Sequence, residues 1–349
     1  MNNKGYKIES YSGLPSYLKD FLENRYKSMY VTYSYFKYLK QIGNLRTLLL
    51  YYHNDLCEVF IYEFISKECV VWNRVVDIKS EHLDLFSGWV FQNSKHTQKI
   101  SFWDLIVPYK TKWSISYSRS SDIYIKLPKT LTEYDTMLGK KSKTQFKYYL
   151  KKVQREIVGV KIDTNAQHDC FDDSLFEEMV SLKEKRFDDK MEQNSFNDTK
   201  AKQHAKLAKE YGRITTISVS DKVIGSLLCY NISDKYFATL VAFDIDFAKY
   251  SLGRIVLYLA IQGAIEEKVS EFHFLWGGSD YVTHYGGEKH QLYTTHVFRG
   301  YNYYYGITWC KVKKQLLKNR LKQFSFIRKN IPIYHAILYW VKRHISLVK

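Results

Sequence analysis

Between Tyr236 and Gly286 the chain reads strand, polar turn, helix, strand and glycine-rich loop in one unbroken run. The β-rich stretch Tyr236-Phe-Ala-Thr-Leu-Val-Ala-Phe243 passes through Asp244 to Tyr250 into Ser251-Leu252-Gly253-Arg254, which opens a long apolar helix. Phe272-His-Phe-Leu-Trp276 follows as a second strand, and then the loop from Gly277 to Gly286. A strand feeding a glycine-containing helix start makes an anion site, because the first amides of a helix have no intrahelical acceptor and its dipole points outward. The loop after the second strand would bring side chains beside that anion.

At 349 residues and 45% hydrophobic content the chain can build two ordinary domains, each with its own core. The polar start, Met1 to Lys7, carries no secretory pattern. The longest apolar stretch, near Ile331 to Val341, is interrupted by Pro332 and His335 and falls short of the roughly 20 residues a bilayer requires. Cys57, Cys69, Cys170, Cys229 and Cys310 are scattered, odd in number and never spaced as CxxC. This fits free thiols in a reducing cytoplasm and supports neither zinc nor any other metal.

The net charge of +17 suggests nucleic acid until it is located. After Glu288 there is no Asp or Glu, and that segment holds 13 of the 53 Lys and Arg, leaving 40 basic against 36 acidic groups before it. The basicity belongs to a tail, so DNA binding by the body is not expected.

Three blocks emerge. Residues 1–127 alternate helical and strand signals, with a hairpin expected from Leu45–His53 and Leu56–Phe64 around the turn pair Asn54-Asp55. Further strands are expected at Cys69–Val76 and Ile123–Leu127, and a helix near Glu81–Asn93. Residues 128–306 begin with a charged helix over Leu131–Gly159, then helices near Leu175–Phe187 and Asn197–Tyr211. A meander follows, Ile214–Val219, Val223–Asn231 and Tyr236–Phe243, then the helix Leu252–Lys268, the strand Phe272–Trp276 and a last strand near Tyr293–Phe298. This is a mixed α/β layout. Residues 307–349 read as two basic amphipathic helices broken at Asn330-Ile331-Pro332.

Each chemical constellation has a plainer counterpart. Tyr250 to Arg254 reads as a pyrophosphate cradle, with Ser251 as cap and Arg254 and Lys249 as charge, or as an ordinary capped helix. Asp244 reads as a general base or a turn acid, and Asp246 as a turn acid. Tyr281 could protonate a leaving thiolate, and His273 or His284 could shuttle a proton; the alternative is aromatic packing. Lys147, Lys151 and Arg155, with Arg186, could grip an acceptor or form solvated faces. No P-loop, HExxH or GxSxG occurs.

Over about residues 131–300 the order of these pieces resembles the GNAT-fold acetyltransferases associated with cellulose biosynthesis, relatives of the Fem peptidyl transferases. The resemblance rests on Lys140-Lys-Ser-Lys-Thr-Gln-Phe-Lys147 continuing to Arg155-Glu156, on Leu182-Lys-Glu-Lys-Arg186 and on Val223-Ile-Gly225. Phe243-Asp244 with Tyr250-Ser-Leu-Gly253, and the Gly277-Gly278…Tyr281 loop, complete it. It implies an α/β (α+β) fold of tandem GNAT-like domains, the first degenerate, with C-terminal basic amphipathic helices. It also implies acetyl-CoA or another acyl-CoA as co-substrate, with its pyrophosphate over Tyr250, Ser251, Leu252, Gly253 and Arg254. The acceptor implied is a small-molecule amine, often an amino sugar of bacterial surface polysaccharide. Asp244, Tyr281 and His284 are then the catalytic candidates, and Lys147, Lys151, Arg155 and Arg186 the acceptor-binding ones. Two departures stand out. Val282 follows Tyr281 where the family commonly has lysine, and the Gln/Arg-x-x-Gly-x-Gly/Ala loop appears as Tyr250-Ser-Leu-Gly253-Arg-Ile255. A Fem-like transferase using aminoacyl-tRNA, a non-catalytic scaffold, contact of the tail with the inner membrane face and a homodimer stay open.

Overall fold

The computed structural model describes residues 5–40, 42–166, 173–189, 198–275 and 280–323. The first stretch of chain forms β1 (Tyr6–Ser12), α1 (Lys19–Tyr26), the single turn α2 (Tyr33–Tyr35), β2 (Arg46–Tyr52), β3 (Asp55–Ile65), β4 (Glu68–Val71), α3 (Ser80–Asn93), β5 (Lys99–Leu105) and β6 (Ser114–Lys126). Then follow α4 (Leu131–Met137), α5 (Lys140–Glu156), β7 (Val160–Ala166), α6 (Asp173–Asp189), α7 (Asp198–Tyr211), β8 (Gly212–Val219), β9 (Lys222–Ile232) and β10 (Lys235–Phe243). The described chain closes with α8 (Leu252–Glu266), β11 (Glu271–His273), β12 (Glu288–Phe298) and α9 (Tyr303–Gln323).

Among the described residues, twelve strands join one sheet, in the order β1-β2-β3-β4-β5-β12-β6-β11-β10-β9-β8-β7. Read inward from either edge, the two halves are the same: an antiparallel meander of four strands, then a parallel step crossed by a helix. The step is β4 to β5 through α3 in the first half, and β10 to β11 through α8 in the second. The halves are welded at the centre by an exchange. β6 pairs with β11, and β12 comes back from the second half to pair with β5 as well as β6. The fold is therefore α/β with a duplicated, GNAT-like topology.

Local chemistry explains most of these elements. The hairpin forms as expected, its turn made by His53 and Asn54 with φ of 49° and 71°, the left-handed pair that matches strand twist. α8 is apolar all round because it is buried nearly all round, wedged between the face of β9–β10 and the helices α4 and α5. α6 and α7 pack against the same strands as part of the other large core cluster. The helix expected over Leu131–Gly159 is two helices. Leu138 and Gly139 are extended between them, and the Thr130 hydroxyl caps the first by accepting from the Glu133 amide at 3.2 Å. β1, β5 and β7 carry no strong sequence signal and are supplied by pairing. In the tail, α9 starts at Tyr303, capped by Asn302 Oδ1 accepting from the Tyr305 amide at 3.0 Å. The second tail helix expected beyond Pro332 lies outside the described residues, as do Trp276, Gly277, Gly278 and Cys170.

A buried imidazole pins the central junction. His273, at the end of β11, meets Asp122 of β6 through Nδ1 at 2.7 Å and Glu271 through Nε2 at 3.0 Å. Its ring stacks against Tyr124 at 4.8 Å and Phe237 at 4.6 Å. Burial disfavours the imidazolium, but the hydrogen bonds and charges of Asp122 and Glu271 outweigh it, and the pKa rises above 6.5. For Glu271, burial opposes ionisation, yet His273 and Lys235 bring its pKa down to about 2. Folding raises the His273 value, so that contribution is complete below about pH 6.5 and fades as pH climbs through the raised value. Folding lowers the Glu271 value, so its contribution is present above about 4.5 and fades toward pH 2. The stability advantage of the wild type over His273→Gln should therefore peak between these limits and shrink above neutrality; a pH-independent difference in urea midpoint would contradict this. In the first half, Phe86 of α3 stacks on Phe60 at 4.3 Å and abuts Phe102 at 5.9 Å with no exposure. Phe86→Ala should cost roughly 3–5 kcal/mol in urea unfolding, within a single transition, because the sheet is continuous.

Candidate functional site

The site grows from the way β10 turns into α8. Asp244 ends the strand, and its carboxylate accepts from the Asp246 amide at 3.1 Å, capping the tight turn Ile245–Tyr250. Ser251 then reverses the chain with φ 54° and ψ 41°, donating its amide to the Ala248 carbonyl at 3.1 Å and accepting from the amides of Arg254 and Ile255 at 2.9 and 3.2 Å. The expected cap by the Ser251 side chain is not formed; its backbone conformation starts the helix instead. The Leu252 and Gly253 amides are the first of α8, so the helix aims donors and its positive dipole end outward there. Gly253 has a second reason to be glycine. A Cβ at this position would lie 2.9 Å from two ring carbons of Phe243, so the helix start can approach the strand only without a side chain.

A cavity of 590 Å³ opens at this point, walled by Phe243, Ser251, Gly253 and Arg254, with Tyr149 from α5 and Tyr281 from the turn Asp280–Tyr285. Among the described residues, parallel pairing of β10 with β11 covers Lys235–Phe237 and Glu271–His273, and β10 itself runs on to Phe243 at the cavity. A bulge between Ala238 and Leu240 bends the departing strand. Tyr285 ties the far wall down: its hydroxyl donates to the Arg254 carbonyl at 3.2 Å, its carbonyl accepts from Tyr134 at 3.1 Å, and its ring stacks on Phe146 at 4.7 Å. Burial pushes the Tyr285 phenol well above its ordinary pKa, so it stays protonated as a donor.

The structure thus brings Ser251, Leu252, Gly253, Arg254 and Tyr281 to one cavity, and Tyr281 is 43% exposed on its wall. The remaining candidates go elsewhere. Tyr250 is buried beneath the turn, with Lys249 and Lys152 over its ring at 5.0 and 5.4 Å. Asp244 is 2% exposed and outside the walls, beside Lys222 at 3.6 Å and Lys185 at 3.9 Å. His284 is exposed next to Ser142 Oγ at 3.4 Å, also outside the walls. His273 has both ring nitrogens engaged, which leaves no free atom for shuttling a proton. Lys147 pairs with Asp135 at 2.6 Å and, with Lys151, lines a separate groove along α5, while Arg155 pairs with Glu156 at 2.7 Å on the surface. The expected grip by these cations is therefore not assembled at the cavity. The Arg186 side chain lies outside the described residues.

Tyr149 and Tyr285 are wall and support residues that sequence reasoning did not single out. Tyr149 sits between Tyr148 and Leu150 in a lysine-rich helix, and only its packing on the second core distinguishes it. The matching position of the first half is filled. There Glu58 of β3 lies fully buried against the start of α3, its oxygens taken by His82 Nδ1 at 3.0 Å, the Tyr26 hydroxyl at 2.6 Å and Arg25 at 2.9 Å. The Glu58 carboxylate there is held by side chains, among them His82 of α3.

Residues 140–282, which include this cavity's strand, turn and helix start, match the family model described as acetyltransferase (GNAT) domain. No curated protein matches the chain in sequence. Among solved structures, the chain is similar to FemX, with a TM-score of 0.61 and 8% identity over 82% of this chain and 96% of that one. It is similar also to L-PGS from Bacillus licheniformis, with a TM-score of 0.52 and 11% identity over 88% and 98%. A conserved protein of unknown function from Bacteroides thetaiotaomicron gives 0.51 and 10% identity over 84% and 100%. These identities carry the fold alone. The domain match, which spans 143 of the 349 residues, makes residues 140–282 similar to a GNAT acetyltransferase domain and supports an acyltransferase activity.

Proposed function

We propose that the protein transfers an acyl group from acyl-CoA to the amine of a small acceptor, with acetyl-CoA as the donor and an amino sugar of surface-polysaccharide synthesis as the acceptor class. The observation that supports the donor assignment is the 590 Å³ cavity at the start of α8, lined by Leu252, Gly253 and Arg254, the segment that carries the first amides of the helix. A diphosphate suits those amides, and the pantetheine arm suits the parting of β10 from β11, where strand edges free of each other offer backbone hydrogen bonds. The sugar acceptor rests on the sequence resemblance.

In this reading the amine nitrogen attacks the thioester carbonyl, the carbon–sulfur bond breaks, and the nitrogen loses its proton to water. Tyr281, on the wall, gives its phenolic proton to the departing thiolate. Asp244, already occupied by the Asp246 amide, steadies the turn that presents α8. None of the four described cysteines, Cys57, Cys69, Cys229 and Cys310, lines the cavity, which favours direct transfer over a cysteine-bound intermediate.

Calorimetric titration with acetyl-CoA should give one-to-one binding, and absence of both binding and CoA release across a panel of amino sugars would end this reading. Gly253→Ala should weaken acetyl-CoA binding about tenfold, since overpacking against Phe243 of roughly 1–3 kcal/mol displaces the helix start. Tyr281→Phe should lower kcat about a hundredfold while leaving acetyl-CoA affinity unchanged; equal kcat would remove the tyrosine from the mechanism. Titration with aminoacyl-tRNA separates the Fem-like alternative, which requires binding that weakens steeply with salt.

A further inference from the structure

Helix α9 stands beside the centre of the sheet and leaves a groove of 590 Å³ beneath it, on the side of β5, β12 and β6. Lys99 and Trp103 come from β5, Arg119 from β6, His296 from β12, and Lys311 and Gln315 from α9. Three cationic side chains thus converge on one space. Lys99 is compensated by Glu68 at 2.7 Å, but neither Arg119 nor Lys311 forms an ion pair with a carboxylate among the described residues. Arg119 lies over the Trp103 ring, 4.9 Å from its centroid, a contact that favours an ordered guanidinium. His296, whose Nδ1 meets Ser101 Oγ at 2.7 Å, lies 5.6 Å from the Trp103 ring. Burial first, and then the charges of Lys99 and Arg119, take its pKa down to about 3, so the local field is positive and the imidazole neutral. Arg119 and Lys311, which no described carboxylate pairs, repel one another and Lys99, and an anion between them removes that repulsion.

We propose that this groove is a second anion site, binding a phosphate-bearing ligand between Arg119, Lys311 and Lys99. It is separate from the α8 cavity and independent of the acyl-CoA reading. The phosphate comes either from a soluble phosphate ester or from an anionic phospholipid headgroup. The same helix carries exposed Trp309, Leu316 and Leu317, the last 57% exposed, beside Lys313, Lys314 and Lys318.

The test is calorimetric titration of the full chain with inorganic pyrophosphate. Arg119→Ala and Lys311→Ala should each weaken the groove's binding about tenfold, the usual loss for one charge-assisted hydrogen bond. Lys313→Ala, on the same helix but outside the groove, should change it less than twofold, and Arg254→Ala should leave it unaltered while disturbing only the α8 cavity. Circular dichroism checks that each variant folds. Equal losses for Lys311→Ala and Lys313→Ala, or no response to Arg119→Ala, would overturn the site. Co-sedimentation with phosphatidylglycerol vesicles then distinguishes the sources. Loss of vesicle binding in both Arg119→Ala and Trp309→Ser identifies a headgroup, whereas pyrophosphate binding without vesicle binding identifies a soluble ester. Binding of neither overturns the proposal.

Discussion

Among the described residues, parallel strands β10 and β11 are joined by three residue pairs, and β10 runs on to the cavity at the working end of the molecule. His273, the last residue of β11, is held by Asp122, Glu271, Tyr124 and Phe237. A buried ion pair of this kind is weak as a source of net stability but strong as a source of register, since leaving either partner unpaired is costly.

Duplication supplies the frame and asymmetry supplies the site. The halves repeat one order of strands and exchange their sixth strands, so neither can be removed without leaving unpaired backbone at the sheet's centre. At the start of α3 the first half buries Glu58 among His82, Tyr26 and Arg25, supplying from within the negative charge that a helix start attracts. At the start of α8 the second half presents Gly253 and Arg254 to a cavity instead. Two equivalent places in the topology thus differ: one holds a buried carboxylate, the other borders a cavity.

Charge shows how location governs meaning. The lysines of α5 lie outside the α8 cavity, Lys147 on Asp135 and Lys151 in an open groove, because Phe146 and Val153 claim the inward face of the helix. The basic residues of α9 divide instead between solvent and the groove over β5, β12 and β6, where Lys311 meets Arg119 and Lys99 across the fold. No described helix is long and apolar enough to cross a membrane.

Much of the local structure was legible from residue order alone. The hairpin between β2 and β3, the meander of β8 to β10, the buried helix α8 and its start after Ser251 all follow from periodicity and backbone stereochemistry, which act over a few residues. Gly253 was read from the sequence as part of a pyrophosphate cradle; that Phe243 packs against it is a tertiary contact. What remained hidden depends on partners far apart in the chain: Asp122 beside His273, 151 residues on; Tyr285 bonded to Arg254; and β12 inserted between β5 and β6. Local pattern decides which segments become strands and helices, because propensity and patterning are near-neighbour effects. Tertiary packing alone decides which charges are neutralised and which helix start stays open, because those outcomes depend on desolvation and on contacts that no short window contains.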